Sequence, residues 1–132
     1  MTKNIPEWFK QADYDMKTAK ILLDNRRYIY AIFLCHLSVE KALKGLYQDK
    51  LQDIPPKVHN LVFLIEKIGL QLPEELQDAL FELNRVSIPT RYPEDLRKMA
   101  RMYSRKRTEN ILERTKEALK WIKAQSSKPS NS

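Results

Sequence analysis

The stretch "YIYAIFLCHLSVEKALKGLYQDK", residues 28–50, decides the fold because it is apolar on two faces at helical spacing. One face is an apolar stripe formed by Tyr28, Ala31, Ile32, Cys35, Val39, Ala42 and Leu46. The second face, beside this stripe, is formed by Ile29, Phe33 and Leu37. A helix that is apolar over so wide an arc packs against several neighbours. Glu40 and Lys44 stand in the order that favours an ion pair along a helix, and we interpret them as a structural pair. Residues 28–50 therefore predict the central helix of an all-α protein.

Four further segments show helical spacing of their apolar residues. Their predicted bounds are 6–25, 59–68, 73–87 and 104–124. Pro6 and Pro73 fit first helical turns, Gly69 fits a C-terminal stop and Ser104 fits an N-cap. The period-two alternation of strands is absent from the sequence. The sequence therefore predicts an up-and-down antiparallel bundle of five helices with a four-helix-bundle-like core.

The connections between the five predicted helices are mostly short, so successive helices should alternate in direction. On that topology Trp8, Lys50, His59 and the connection 88–103 share one end of the bundle. The N-termini of two helices would also point their free N–H groups toward that end, which is a setting suited to anions.

The length of 132 residues fits one domain, which we place at residues 1–125, followed by a polar tail, 126–132, that we expect to be disordered. The only cysteine, Cys35, lies in an apolar helical pattern and is interpreted as a buried structural thiol.

The longest apolar run, near residues 28–37, is too short to span a bilayer, and the N-terminal sequence lacks the apolar region of a secretory signal. We therefore expect a cytoplasmic protein that does not bind membranes.

The net charge of +7 is unevenly distributed along the chain. Residues 1–84 carry 11 Lys and Arg against 12 Asp and Glu, whereas residues 85–132 carry 13 against 5. This asymmetry indicates an anionic partner such as RNA, a nucleotide or an acidic protein surface. A solvated basic helix without a ligand is the alternative.

Several short motifs resemble those of the HEPN domain family, and the resemblance covers residues 6–124. The first helix matches a pattern of four spaced residues: Trp8, Ala12, Asp15 and Ala19. In the central helix, "HLSVEKALKGLY" (36–47) is similar to the family signature QxxxEKALKALL. "VHNL" (58–61) resembles the THDL that opens the third helix, and "RYP" (91–93) resembles the family's loop motif.

This resemblance implies an up-and-down helical bundle that forms a homodimer. It also implies roles in RNA metabolism, toxin–antitoxin pairs and nucleotide binding, with a minimal nucleotidyltransferase as the partner protein. Ribonuclease members carry an arginine followed, after four to six residues, by a histidine. Here the nearest arginine upstream of His36 is Arg27, which is too distant, so the motif is absent and the protein is not expected to be a nuclease.

The candidate site residues follow from the loop motif, the basic run and the two histidines. His59 and Arg91 are weak catalytic candidates, because a histidine can remove a 2′-OH proton near neutral pH and an arginine can hold phosphate. The candidate ligand-binding residues are Lys44, Lys50, His59, Arg91, Tyr92, Arg97, Arg101, Tyr103 and Arg105. His36 is interpreted as a packed or dimer-interface residue. Structural roles stay open for His59 at a helix start and for Arg91 and Tyr92 as a cap on the bundle end.

Three functions remain open on the sequence. The first is a binding component that contacts nucleotide or RNA and acts with a minimal nucleotidyltransferase. The second is a metal-independent RNase toxin with a non-standard active site, and the third is a non-catalytic interaction scaffold. The sequence contains no cluster of zinc ligands and no glycine-rich phosphate loop, so we expect neither a metal nor a cofactor.

Overall fold

A computed structural model describes residues 4–127, which form six α-helices. Their bounds are α1 Ile5–Asp24, α2 Tyr28–Leu51, α3 Leu61–Ile68, α4 Glu74–Arg91, α5 Leu96–Met102 and α6 Arg105–Ala124. The four long helices α1, α2, α4 and α6 pack around one core, and α3 and α5 are short. The predicted all-α bundle is confirmed, with six helices instead of five, and the described part of the chain contains no strand.

α2 is the central helix, as predicted, and contacts each of the other five helices. Ile32, Val39, Leu43 and Leu46 are fully buried along it. On its second apolar face Ile29 is buried, whereas Phe33 and Leu37 are partly exposed. Cys35 is buried as expected, and burial raises the pKa of its thiol to about 12.

α1 and α2 approach each other closely at Gly45. A Cβ atom at that position would lie 2.9 Å from Cβ of Trp8 and 3.2 Å from Cε1 of Phe9. Farther along the same contact, the Ser38 hydroxyl donates a hydrogen bond of 2.7 Å to the carbonyl of Ala12. Small residues on α2 therefore permit the tight packing of α1.

The predicted helix ends are confirmed at several positions. Pro6 lies in the first turn of α1, and Pro73 is the N-cap of α4. Gly69 ends α3 in the left-handed conformation, with φ at 81°, which glycine adopts without the steric penalty of a Cβ atom. Ser104 accepts a hydrogen bond from the backbone N–H of Arg107 and begins α6.

The segment predicted as a loop, 88–103, contains two helical pieces. α4 continues through Pro89 to Arg91 instead of ending near Ser87. A proline removes only one backbone donor, and helical hydrogen bonding resumes after it, since the N–H of Tyr92 donates to the Ile88 carbonyl at 2.9 Å. α5 then forms because Asp95 accepts a hydrogen bond from the N–H of Lys98 and caps it.

The directions of α3, α4 and α6 are opposite to those predicted. Residues 52–60 run back along α2 and bring His59 against Glu40, in the middle of that helix. An extended chain advances more than twice as far per residue as a helix, so a short segment can cover half the length of α2. As a result α4 ends beside Phe33, near the start of α2, and not beside Lys50. The 88–103 segment and Lys50 therefore lie at opposite ends of the bundle.

The end of α6 is fastened to the end of α2. The Asp49 carboxylate accepts hydrogen bonds from the N–H of Ser127 at 2.9 Å and from its hydroxyl at 2.6 Å. These bonds lower the pKa of Asp49 against the opposing effect of burial. Ser126 and Ser127, at the start of the predicted tail, are thus held, and residues 128–132 lie outside the described residues. Within the described residues no helix is long and apolar enough to cross a bilayer.

Candidate functional site

Side chains at positions 33, 36, 40 and 44 share one face of α2, because they are three or four residues apart. Two further residues reach this face from other elements: His59 from the segment before α3 and Arg91 from the last turn of α4. We refer to His36, Glu40, Lys44, His59 and Arg91 as the polar cluster.

The Glu40 carboxylate is the centre of the polar cluster. Lys44 Nζ donates to its Oε2 at 3.1 Å, and Nδ1 of His59 lies 3.0 Å from the same oxygen. Nδ1 of His36 lies 3.8 Å from Oε1. The Glu40 side chain is 5% exposed, so its charge is shielded from water and compensated by these neighbours. The predicted pair of Glu40 and Lys44 is confirmed.

His36 is fully buried between Glu40 and Arg91. Burial lowers the pKa of His36 to about 4; the Glu40 carboxylate opposes this shift, and the positive charges of Arg91 and His59 add to it. Within residues 4–127 neither ring nitrogen forms a hydrogen bond of good geometry, although the His59 backbone lies near enough to raise the pKa slightly. His36 is therefore a neutral packed histidine near pH 7 and has no access to a substrate.

Arg91 is held by stacking and not by an ion pair. Its guanidinium carbon lies 4.8 Å from the centroid of the Phe33 ring. Its Nε is buried and has no hydrogen-bond partner within residues 4–127, and no carboxylate of that part of the chain forms an ion pair with it. A fixed guanidinium with unused donors is suited to a phosphate group.

His59 is the accessible histidine of the polar cluster, with 62% of its side chain exposed. Since a carboxylate only accepts hydrogen bonds, the contact with Glu40 places the ring proton on Nδ1. Nε2, the other ring nitrogen, points away from this contact. The Glu40 and Phe33 positions are separated by two helical turns, so His59 and Arg91 meet α2 at points ~10 Å apart along its axis.

Tyr92 and α5 form a groove with the end of α4. This α4–α5 groove has a volume of about 460 Å³, and its lining includes Ile88, Tyr92, Lys98 and Met102. The Tyr92 side chain is 74% exposed, so its ring is available for stacking. Arg97 and Arg101, both predicted ligand residues, are exposed on α5 next to the groove.

Three other predicted ligand residues are placed less favourably. Tyr103 is only 2% exposed and packs in the core, where Arg107 covers one face of its ring at 4.5 Å, so it offers no face to a base. Arg105 is exposed and pairs with Glu109 at 3.0 Å. Lys50 is exposed but lies at the end of α2 away from Arg91.

The sequence interpretation did not connect Glu40 and His36 with the candidate site. The signal was present, because positions 33, 36, 40 and 44 are spaced for one helical face, but nothing in the sequence showed which residues would cover that face. The α4–α5 groove was also missed, since residues 88–103 were predicted as a loop. Among the described residues no group of His, Cys, Asp and Glu side chains could hold a metal ion.

The fold and the polar cluster together define a small helical-bundle protein whose central helix carries a glutamate and a lysine under an arginine and a histidine from other segments. The model of the HEPN domain family matches residues 5–125, and the chain belongs to this family.

Two solved structures are similar to it. The crystal structure of an archaeal HEPN homologue has 25% sequence identity and a TM-score of 0.74, and the match covers 94% of this chain and 98% of the other. A protein from Thermus thermophilus has 27% identity and a TM-score of 0.79, with 91% and 96% covered. No curated protein matches the chain.

Proposed function

We propose that this HEPN-domain protein is a nucleotide- or RNA-binding component that acts with a minimal nucleotidyltransferase, as one member of a pair of the toxin–antitoxin type. The observation that supports binding is the position of Arg91. Its guanidinium lies over Phe33 without a carboxylate partner among residues 4–127, next in sequence to the exposed ring of Tyr92.

The chemistry of this surface fits an anion that carries a planar base. Arg91 can donate two parallel hydrogen bonds to one phosphate, and the ring of Tyr92 can stack on a base. Lys98 lies on the opposite wall of the α4–α5 groove and can neutralise a second phosphate. The groove also contains Glu94 and Asp95, and the latter already caps α5. Exposed basic side chains beside an exposed aromatic ring are typical of sites for single strands.

A binding test starts from purified protein and a fluorescein-labelled oligouridylate at several salt concentrations. Arg91→Ala should weaken binding at least tenfold, and it should reduce the slope of log K against log salt by ~0.7, since one phosphate contact is lost. Lys50→Ala is the matched control, because it removes one exposed charge at the opposite end of the bundle. Equal losses in both variants would show that only net charge matters and would contradict the proposed site.

The partner, the dimer and the location are part of the same proposal. We propose a homodimer in the cytoplasm, and HEPN-domain proteins are commonly dimeric. Light scattering should give twice the chain mass of 15.7 kDa at tens of micromolar. Co-purification from the native host, followed by mass spectrometry of protein and nucleic acid, should recover a nucleotidyltransferase together with nucleotide or RNA. Recovery of neither would favour an interaction scaffold without a ligand.

A metal-independent ribonuclease is the second candidate, and the contact between His59 and Glu40 favours it. A carboxylate that fixes the tautomer and orientation of an exposed histidine prepares that ring to act as a general base. Arg91 lies farther along the same face, so both groups would have to reach one phosphodiester. We expect RNA to be bound and left uncut. Cleavage in the presence of a chelator that disappears in both His59→Ala and Arg91→Ala, but not in Lys50→Ala, would establish the nuclease instead.

A further inference from the structure

α5 presents three different surfaces around its circumference. Met99 is its buried residue and faces the bundle. At 100° per residue, Arg97 and Arg101 then point away from the bundle, and both are exposed. Lys98 and Met102 occupy the side that lines the α4–α5 groove. The two arginines therefore form a crest along the outer surface of the helix.

The other side of α5 lines a second groove. This α2–α5 groove has a volume of about 230 Å³ and lies between Leu96 on α5 and the turn from α1 to α2, with Arg26, Arg27 and Tyr30 in its lining. Tyr30 is 51% exposed and Leu96 is 61% exposed. The α2–α5 groove therefore presents an aromatic ring and apolar surface next to two arginines.

Arg26 and Arg27 carry charge that the protein does not neutralise. Both are exposed, and within residues 4–127 neither forms an ion pair with a carboxylate. The crest arginines are likewise unpaired in that part of the chain. The α2–α5 groove therefore resembles the α4–α5 groove in having an exposed tyrosine beside basic charge, on the opposite side of α5, but its lining contains no carboxylate.

We propose that the α2–α5 groove is a second binding subsite and that the ligand is a single strand of RNA that crosses α5 from one groove to the other. Tyr92 and Tyr30 each stack on a base, Arg97 and Arg101 contact the backbone at the crest, and Arg26 and Arg27 bind phosphate beyond it. This inference rests on the proposed function, because the strand enters through the surface next to Arg91.

The width of α5 sets the minimum ligand. A helix with its side chains is ~10–12 Å across, so a ligand that stacks in both grooves must span that distance. A mononucleotide has one base and can occupy only one groove. The affinity should therefore rise steeply when the strand becomes long enough to reach the second groove, because the second contact is then intramolecular.

The test compares uridine monophosphate with an oligouridylate of about twelve nucleotides, bound by the full chain at low salt. The double variant Arg26→Gln/Arg27→Gln keeps side-chain length and removes both charges. This variant should weaken the affinity for the oligonucleotide at least tenfold and reduce the slope of log K against log salt by ~1.4. Its affinity for the monophosphate should stay within about twofold of wild type. The control is Lys50→Gln/Lys120→Gln, which removes two exposed charges outside both grooves and should change each value little.

A single-residue variant tests the stacking contact separately. Tyr30→Ala should weaken the affinity for the oligonucleotide about tenfold, whereas Tyr30→Phe, which keeps the ring, should bind it like wild type. Because Tyr30 is half exposed, circular dichroism should show both variants folded.

The possible outcomes distinguish the second subsite from the proposed binding function on which it rests. If Arg91→Ala weakens the oligonucleotide while the Arg26, Arg27 and Tyr30 variants do not, the binding function stands and the second subsite is wrong. If the wild-type protein binds neither the oligonucleotide nor the monophosphate at low salt, both proposals fail. An effect of the lysine control equal to that of the arginine pair would also overturn the subsite.

Discussion

Charged side chains differ in their pairing between the four long helices α1, α2, α4 and α6, which we call the scaffold, and the short helix α5. On the scaffold, three carboxylates pair with lysines: Asp15 contacts Lys41 at 2.9 Å, Asp13 contacts Lys123 at 2.8 Å, and the buried Glu40 contacts Lys44. On α5, Arg97, Lys98 and Arg101 are exposed and form no ion pair within residues 4–127. Buried charges require partners because they have lost water, whereas exposed charges do not. The difference indicates that the paired charges of the scaffold hold the fold and that the α5 charges, like that of Arg91, are free for a ligand.

The largest expected effect comes from removing the centre of the polar cluster. Glu40→Ala leaves Lys44 buried without its partner and should lower the free energy of unfolding by about 3–5 kcal/mol. Urea denaturation followed by circular dichroism measures it. Asp24→Ala is the control, since it breaks the exposed pair with Lys20, which also has i,i+4 spacing, and should change stability by less than about 0.5 kcal/mol. Equal effects would contradict the distinction between buried and exposed pairs.

The second prediction concerns pH. His36 has a folded pKa of about 4, below the value of 6.5 for a free histidine, so the unfolded chain binds its proton first as pH falls. Stability is therefore lost between about pH 6.5 and pH 4, and the loss from pH 7 to pH 5 should be about 2 kcal/mol from this residue. Denaturation at both pH values should show a smaller pH dependence in His36→Leu. An unchanged dependence would mean that another group dominates.

The third prediction tests the contact between α1 and α2. Gly45→Ala places a methyl group 2.9 Å from Cβ of Trp8 and should destabilise the protein by about 1–2 kcal/mol, although alanine favours helix. Gly69→Ala is a useful comparison, because nothing lies within 4 Å and the whole effect, about 1 kcal/mol, comes from its positive φ. In a double-mutant cycle, Gly45→Ala should cost less in a Trp8→Gly background, which lacks the Cβ atom of residue 8, whereas the cost of Gly69→Ala should be the same in both backgrounds.

The smallest expected effect on stability is at α5. Arg97→Gln together with Arg101→Gln should change the free energy of unfolding by less than about 0.5 kcal/mol, since both residues are exposed and unpaired. The same variant should reduce the salt slope of oligouridylate binding by ~1.4. A clear loss of stability with unchanged binding would reverse the assignment of these charges.

Local sequence determined the helices and most of their ends. Gly69, Pro73 and Ser104 act where they were expected to act, because a left-handed residue, a fixed φ and a capping hydroxyl work within one helical turn. The wide apolar arc of residues 28–50 identified the central helix for the same reason. The Glu40–Lys44 pair was also accessible, since its two members lie on one helix.

The tertiary structure alone decided the direction of residues 52–60 and, with it, the location of the site. Whether that segment stops at the end of α2 or runs back along it depends on distant partners, such as the Asn84 amide that accepts a hydrogen bond from the N–H of Leu61 at 2.7 Å. Those contacts bring His59 to Glu40 and the end of α4 to Phe33. Helical periodicity in the sequence reports which face of a segment is buried. It does not report which residues cover that face, because those residues can lie anywhere else in the sequence.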